Sequence, residues 1–310
     1  MSLQNQFETY CRTSGNNPSF REGLVNNFSR NLASHSKPPF IWFEASACSG
    51  DSISTLNAVK PNLAQILEEL LDVRYWNALM PEQGEAAIQR LLTTVESGNF
   101  ILAVEGAIPT AGQGRYAIPF KQNNTVFTSA ELLLWMAPKA KYIIAVGTCA
   151  AFGGPSAARP NPSQSKGVRD IISQPVINVS GCPINPDWLL GTLFHLMLFD
   201  TPALDRHQRP TLFYGETIHS NCQRRSYFDK HIFAKDLGDR ECMFSLGCMG
   251  PITGSDCPYR MWNDHLNWPV KDNTPCIGCT EPGFPDKSSP FFTPLPEKQP
   301  KPDERRPSHG

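Results

Sequence analysis

Between Pro39 and Phe199, short runs of continuous apolar residues alternate with stretches in which apolar residues recur at helical spacing. The runs "PFIWFE", "NFILAVEGAIP", "KYIIAVGTCA" and "VINVSGCP" predict four strands. Between and after them lie a helical stretch over 52–76 interrupted at Pro61, the helix "TSAELLLWMA", the shorter "GVRDIIS" and the long "PDWLLGTLFHLML". Strands that are apolar throughout and separated by helices indicate a parallel sheet covered on both faces. Upstream, Phe20, Leu24, Phe28 and Leu32 recur every four residues behind Ser19 and Glu22, which have capping-box spacing, and predict a short helix. After about residue 210 the periodicity fades, while Gly, Pro and Asn become frequent. Four segments follow: an arm over 1–37 for packing or assembly, a sheet domain over 38–210, an irregular domain over 211–285, and a Pro-rich extended tail over 286–310.

The fold class expected is α/β, with a flavodoxin-like, doubly wound parallel sheet and a small irregular second domain. In such sheets ligands sit outside the carboxyl ends of the strands. Cys48 comes just after the first predicted strand, Cys149 ends the third and Cys182 ends the fourth. Residues distant in sequence should therefore converge on one sheet edge, with Glu44 and Glu105 near them.

Composition narrows the function. A net charge of −1 and a pI near 6.7 provide no basic field, so no nucleic-acid partner is expected. The longest apolar-rich stretch, Trp188 to Phe199, is broken by Thr192 and His195 and is too short to span a bilayer. Ten cysteines without a secretory signal or an N-terminal twin arginine point to metal or redox chemistry rather than a disulfide framework. The expected location is the cytoplasm, with peripheral membrane association through a partner as the alternative.

The irregular domain reads His219-x2-Cys222-x19-Cys242-x5-Cys248-x8-Cys257-x18-Cys276-x2-Cys279. Two zinc sites would use the same ligand types, but zinc leaves the strand-end cysteines unexplained. Iron–sulfur clusters account for the set better. Omitting Cys11, nine cysteines form three groups of three, each with one further candidate: Cys48, Cys149 and Cys182 with Asp51; Cys222, Cys242 and Cys248 with His219; and Cys257, Cys276 and Cys279 with Pro269. Proline offers no donor atom, which favours a 3Fe–4S centre in the third group.

On these residues the chain resembles the small, electron-transferring subunit of NiFe hydrogenases over about 39–285. The matching stretches are "WFEASACSG", "LAVEGAIP", "VGTCAAFGG", "VSGCPINPDW", "IHSNCQRR", "CMGP" and "CIGCTEPGF". The resemblance implies a proximal cluster on Cys48, Cys149 and Cys182, with Asp51 at the position of the usual fourth cysteine. It implies a distal cluster on His219, Cys222, Cys242 and Cys248, and a medial cluster on Cys257, Cys276 and Cys279, with Pro269 at the missing-ligand position. The nickel–iron site would lie on a partner large subunit, since its paired cysteine motifs are absent here.

Asp51 is the main departure from the family pattern. Either its carboxylate holds the fourth iron, a harder donor than thiolate, or the proximal cluster is 3Fe–4S. The medial cluster is expected as 3Fe–4S, and the distal as 4Fe–4S with 3Fe–4S as the alternative. Such a wire suits hydrogen uptake. Gly50 and Gly154 stand where some oxygen-tolerant relatives carry extra proximal cysteines. A higher oligomer of heterodimers is expected, with a quinone or a soluble carrier as electron acceptor.

Simpler readings stand beside these. Glu44 and Glu105 either take part in proton transfer or only fix an interface and satisfy backbone donors. His195 reads as packed structurally, His231 and His265 as ordinary polar residues, and Cys11 as a free thiol. Arg224 and Arg225 read either as hydrogen-bonding the cluster surroundings or facing the acceptor, or simply as solvated charge. The competing functions are a stand-alone multi-cluster, ferredoxin-like carrier and a zinc-stapled interaction module. A quinone-reductase subunit also resembles the first domain but has no need of the six-cysteine array.

Overall fold

Alternation along the central strands builds a two-sided core. Phe40 and Trp42 of β1 (Pro39–Glu44) pack with Ile101 and Ala103 on one face, while Ile41 and Phe43 pack with Leu102 and Val104 on the other. The computed structural model describes residues 3–13, 37–59, 61–122 and 124–293. Its sheet comprises β1, β2 (Asp72–Trp76), β3 (Phe100–Glu105), β4 (Ala140–Val146) and β5 (Ile177–Val179), in the order β2-β1-β3-β4-β5 with all neighbours parallel. That order is the flavodoxin-like one, with its switch point between β1 and β3.

Helices cover both faces, as continuous apolar strands require. Preceding these strands, α1 (Leu3–Thr13) is described below; following β1 comes α2 (Gly50–Thr55). On one face α3 (Gly84–Ser97) contributes Leu91 and Val95, and α4 (Ser129–Met136) contributes Leu132, Leu133 and Met136. Helix α4 starts at a capping box, in which Thr128 Oγ1 accepts the Glu131 amide at 3.3 Å and Glu131 Oε2 accepts the Thr128 amide at 2.9 Å. After α5 (Gly147–Phe152), the opposite face is covered by α6 (Pro186–Phe199), whose Trp188, Leu189 and Leu193 are buried.

Several local expectations are corrected. The stretch 52–76 is not helical to its end: α2 stops at Thr55, a second helical segment runs over 63–70, and "DVRYW" forms the edge strand β2. Its polar and apolar residues alternate at period two, which suits a half-buried strand. Cys149 does not end a strand. β4 stops at Val146, and Gly147 at φ +86° turns the chain into α5, which carries Cys149. "GVRDIIS" makes only a 3-10 turn at Val168–Asp170.

The helix expected over 19–32 lies outside the described residues. Helix α1 packs on its own chain, with Phe7 against Phe199 at 5.6 Å and edge-on to His195 at 6.1 Å. The tail is not extended at its start, since Phe291 stacks on Phe284 at 5.8 Å and Asp286 accepts the Arg159 amide at 3.1 Å.

From α7 (Thr211–Tyr214) to Thr293 the chain forms short helices, turns and isolated bridges. Buried arginines fasten this region to the sheet domain. Arg209 bridges Asp205 and Glu281, both at 2.8 Å, and Arg260 holds Asp256 at 2.7 Å and Asp187 at 3.2 Å. Replacing fully buried Leu91 with Ala should cost about 2–5 kcal/mol of stability, read from the denaturant midpoint. A loss below about 1 kcal/mol would contradict the packing of α3 on the sheet.

Candidate functional site

Three chain turns meet at the carboxyl edge of the sheet and bring the first cysteine group together. Cys48 and Cys182 are exposed there and Cys149 is half-buried. Cys182 lies in the electrostatic field of Cys149, Cys48 and Asp51, which places all four in one constellation. Burial is the main cause pushing the Cys182 thiol up to about 12, and it raises Cys149 as well.

Glycine keeps this site open. A Cβ on Gly147 would stand 2.0 Å from Asp51 Oδ2, and one on Gly50 or Gly154 would stand 3.0 Å from the Cys48 or Cys149 sulfur. The two positions singled out against oxygen-tolerant relatives therefore both flank a thiol.

Asp51 is buried, and its Oδ1 accepts the Ile184 amide at 2.8 Å. Among the described residues its Oδ2 makes no hydrogen bond. Burial first, then the nearby Glu105, push this carboxyl up to about 8 against the pull of the Ile184 amide. A carboxylate here is destabilised until a cation sits beside it.

Glu105 gathers three donors beneath this edge. Fully buried, it accepts Trp42 Nε1 at 2.8 Å, Ser52 Oγ at 2.6 Å and the Asp51 amide at 3.0 Å, and so fixes the loop that carries Asp51. Glu44 accepts Asn77 Nδ2 at 2.9 Å and Ser52 Oγ at 3.1 Å.

The second group, His219, Cys222, Cys242 and Cys248, lines one pocket together with Arg224. The His219 ring meets Phe228 edge-on at 4.4 Å, which restrains its orientation. Burial, helped by Arg225, lowers His219 and favours the neutral imidazole that a ligand needs.

In the third group Cys257 and Cys276 are buried and Cys279 is half-buried. Burial pushes Cys257 up to about 12 and raises Cys276 and Cys279. The Cys257 sulfur lies 3.0 Å from Ser255 Oγ and takes a hydrogen bond from Trp262.

Pro269 is exposed, and its carbonyl accepts the Thr274 amide at 2.8 Å, two residues before Cys276. Cys11 is separate from all three groups, with Arg260, Asp187, Asp256 and Glu8 as its charged neighbours. His195 is buried with Nδ1 2.7 Å from the Asp200 carbonyl, a packing role as expected.

The groups also touch one another. The Met249 amide, beside Cys248, donates to the Cys276 carbonyl at 2.8 Å. Thr148, beside Cys149, donates through Oγ1 to the Cys279 carbonyl. Sequence spacing carries no trace of these contacts, nor of Ser255 and Trp262.

Arg224 and Arg225 part company. Arg225 is exposed and pairs with Asp229 at 2.8 Å, whereas Arg224 is buried, which corrects the solvated reading for that residue.

Donor chemistry and surroundings fit iron–sulfur clusters. Thiols held out of water stay protonated until metal charge displaces the proton. Backbone amides supply the N–H···S contacts that tune clusters, as from Arg224 to Cys222 and from Gly278 to Cys276, both at 3.4 Å.

A family model for the C-terminal part of the NiFe/NiFeSe hydrogenase small subunit matches residues 214–292. The periplasmic NiFeSe hydrogenase small subunit of Desulfomicrobium baculatum is 42% identical over 275 residues, covering 83% of this chain and 87% of that one. The chain belongs to the NiFe hydrogenase small-subunit family. A second family model, NADH ubiquinone oxidoreductase, 20 Kd subunit, matches 48–196, in line with the shared resemblance of the sheet domain.

The uptake hydrogenase small subunit of Cupriavidus necator is 32% identical over 297 residues, with 91% of this chain and 80% of that one covered. Among solved structures, the NiFeSe hydrogenase of Dm. baculatum superposes with a TM-score of 0.80 at 40% identity, covering 84% of this chain and all of that one. The actinobacterial-type NiFe-hydrogenase from Ralstonia eutropha gives 0.79 at 29% identity, covering 86% of this chain and 84% of that one. Family members carry iron–sulfur clusters and pair with a large subunit, so this small subunit is part of an oxidoreductase.

Gly147→Ala tests the cradle around Asp51. The added Cβ would collide with Oδ2 at a φ costly for any other residue, about 1–3 kcal/mol. The expected outcome is a lowered iron and acid-labile sulfide content with an altered proximal EPR signal. Unchanged metal content and spectrum would show that Asp51 is not part of the site.

Proposed function

We propose that this chain carries electrons from hydrogen oxidation on its large-subunit partner through three iron–sulfur clusters to a quinone or soluble acceptor. The observation that supports this most is the pair of contacts at one C-x2-C turn: Thr148, beside Cys149, donates to the Cys279 carbonyl, and the Met249 amide, beside Cys248, donates to the Cys276 carbonyl at 2.8 Å. Cys276 and Cys279 belong to one C-x2-C pair, so each end of that pair faces a different neighbouring group. When bound, clusters at these groups supply one-electron redox capacity. The protein's part is to fix their separation, exclude water and donate N–H groups to the sulfurs.

On this reading the proximal ligands are Cys48, Cys149, Cys182 and Asp51. Asp51 suits the role because one oxygen is tied to an amide while the other is uncommitted. The medial cluster on Cys257, Cys276 and Cys279 is 3Fe–4S, since Pro269 stands at the fourth-ligand position and offers no donor atom. The distal cluster on His219, Cys222, Cys242 and Cys248 is 4Fe–4S. The domains run over 38–210 and 211–285.

The large subunit packs on the proximal edge. Ile53, Leu56 and Val59 are 59%, 45% and 40% exposed immediately after Asp51, an apolar patch that calls for a partner. The wire is suited to uptake, in heterodimers that assemble further, and the enzyme works in the cytoplasm.

Two substitutions test the assignment. Cys149→Ser in the heterodimer should abolish hydrogen-driven dye reduction, and full activity would refute the proximal site. Asp51→Cys should yield a four-iron proximal cluster of lower potential in an EPR-monitored titration. An unshifted proximal signal would remove Asp51 from the ligand set.

A further inference from the structure

The side chain of Arg224 poses a problem that the ligand assignment does not solve. It is only 8% exposed, and among the described residues no carboxylate lies within ion-pairing distance of it. Its Nη1 donates to the Asp239 and Glu241 carbonyls at 2.6 and 2.8 Å, and its Nη2 donates to Asn273 Oδ1. Those acceptors are neutral. A guanidinium cannot shed its proton, and a buried charge without a counter-charge is costly.

The missing negative charge is close by. Arg224 lines the same cavity as His219, Cys222, Cys242 and Cys248, and its charge acts on all three thiols. The other end of the chain is built in the opposite sense. Buried Asp51 and Glu105 stand at the proximal edge, and among the described residues no buried cation is paired to either.

Resting on the cluster reading above, we propose that Arg224 is the fixed counter-charge of the distal cluster and sets its potential high, so that electrons settle at the outer end of the wire. In the step concerned, the medial centre loses one electron and the distal centre gains it. The electron originates in hydrogen oxidised on the partner subunit, and no bond to Arg224 forms or breaks. A permanent positive charge favours the more negative, reduced state of the distal centre. A buried carboxylate beside the proximal centre has the reverse effect. Arg224 is thus a positioning residue for charge rather than a ligand.

The test uses the assembled heterodimer with Arg224→Met, Arg224→Lys and Asn273→Ala, each followed by an EPR-monitored redox titration together with iron and sulfide counts. Arg224→Met should lower the distal midpoint potential while leaving the proximal and medial midpoints in place. Arg224→Lys keeps the charge without the three-way brace, and Asn273→Ala keeps the charge while loosening the brace. Both should stay near the unmodified value. If Arg224→Met loses the distal signal and Arg224→Lys retains it, the charge is required and the inference stands. A fully loaded Arg224→Met protein with an unmoved distal midpoint overturns it. So does equal loss of the distal centre in both arginine variants, which would make the residue a brace for its loops. Absence of every iron–sulfur signal from the unmodified heterodimer is a different failure, that of the cluster reading itself.

Discussion

Sulfur held away from water governs this molecule. Nine cysteines sit where the surrounding protein desolvates most of them, and burial is the leading cause of every raised thiol among them. A thiolate in such a place needs nearby positive charge, and metal ions provide it. The same requirement explains how the region after α7 holds its shape. It has short helical turns and no sheet, so ligation energy would supply what a larger core otherwise contributes. The arginines Arg209 and Arg260 fix that region to a sheet domain able to bury its own apolar surface.

The sheet positions the first thiols because strand ends are the one place where a doubly wound fold leaves turns unshielded by helices. Glu105 shows how this is done. Its position at the end of β3 sends its carboxylate under the next turn, where it takes the Asp51 amide, Trp42 Nε1 and Ser52 Oγ together. The loop carrying Asp51 is thereby set from below, while the Ile184 amide fixes the carboxylate from the side. One buried acid thus orients the loop that carries another.

Much of this was legible in the sequence, for identifiable reasons. Continuous apolar runs mark central strands, so β1, β3, β4 and β5 were readable. The edge strand β2 was not, because "DVRYW" is half exposed and carries two charged residues. Helix α3 escaped notice for lack of a capping residue; Gln83 at its N-terminus makes no side-chain cap. Cysteine spacing suggested the three candidate groups, since thiols are scarce and chemically distinctive. It could not give the contact from the Met249 amide to the Cys276 carbonyl, because backbone donors have no sequence signature. Nor could it separate Arg224 from Arg225. Adjacent residues on a short helical turn point to opposite sides, and only the packed chain shows which guanidinium is enclosed.

That separation has a wider consequence for how a chain of redox centres can be polarised. Three clusters with similar thiolate sets would differ little in potential if their surroundings were alike, since cluster type, hydrogen bonds, solvent exposure and local charge set the value. Here the surroundings differ along the chain. Carboxylates are buried at the sheet edge, neutral hydroxyl and indole donors surround Cys257, and a guanidinium lines the cavity around Cys222, Cys242 and Cys248. Of these, the guanidinium alone carries a fixed charge, since burial raises both carboxyl groups and favours their neutral forms. Because that charge is buried, salt screens it weakly.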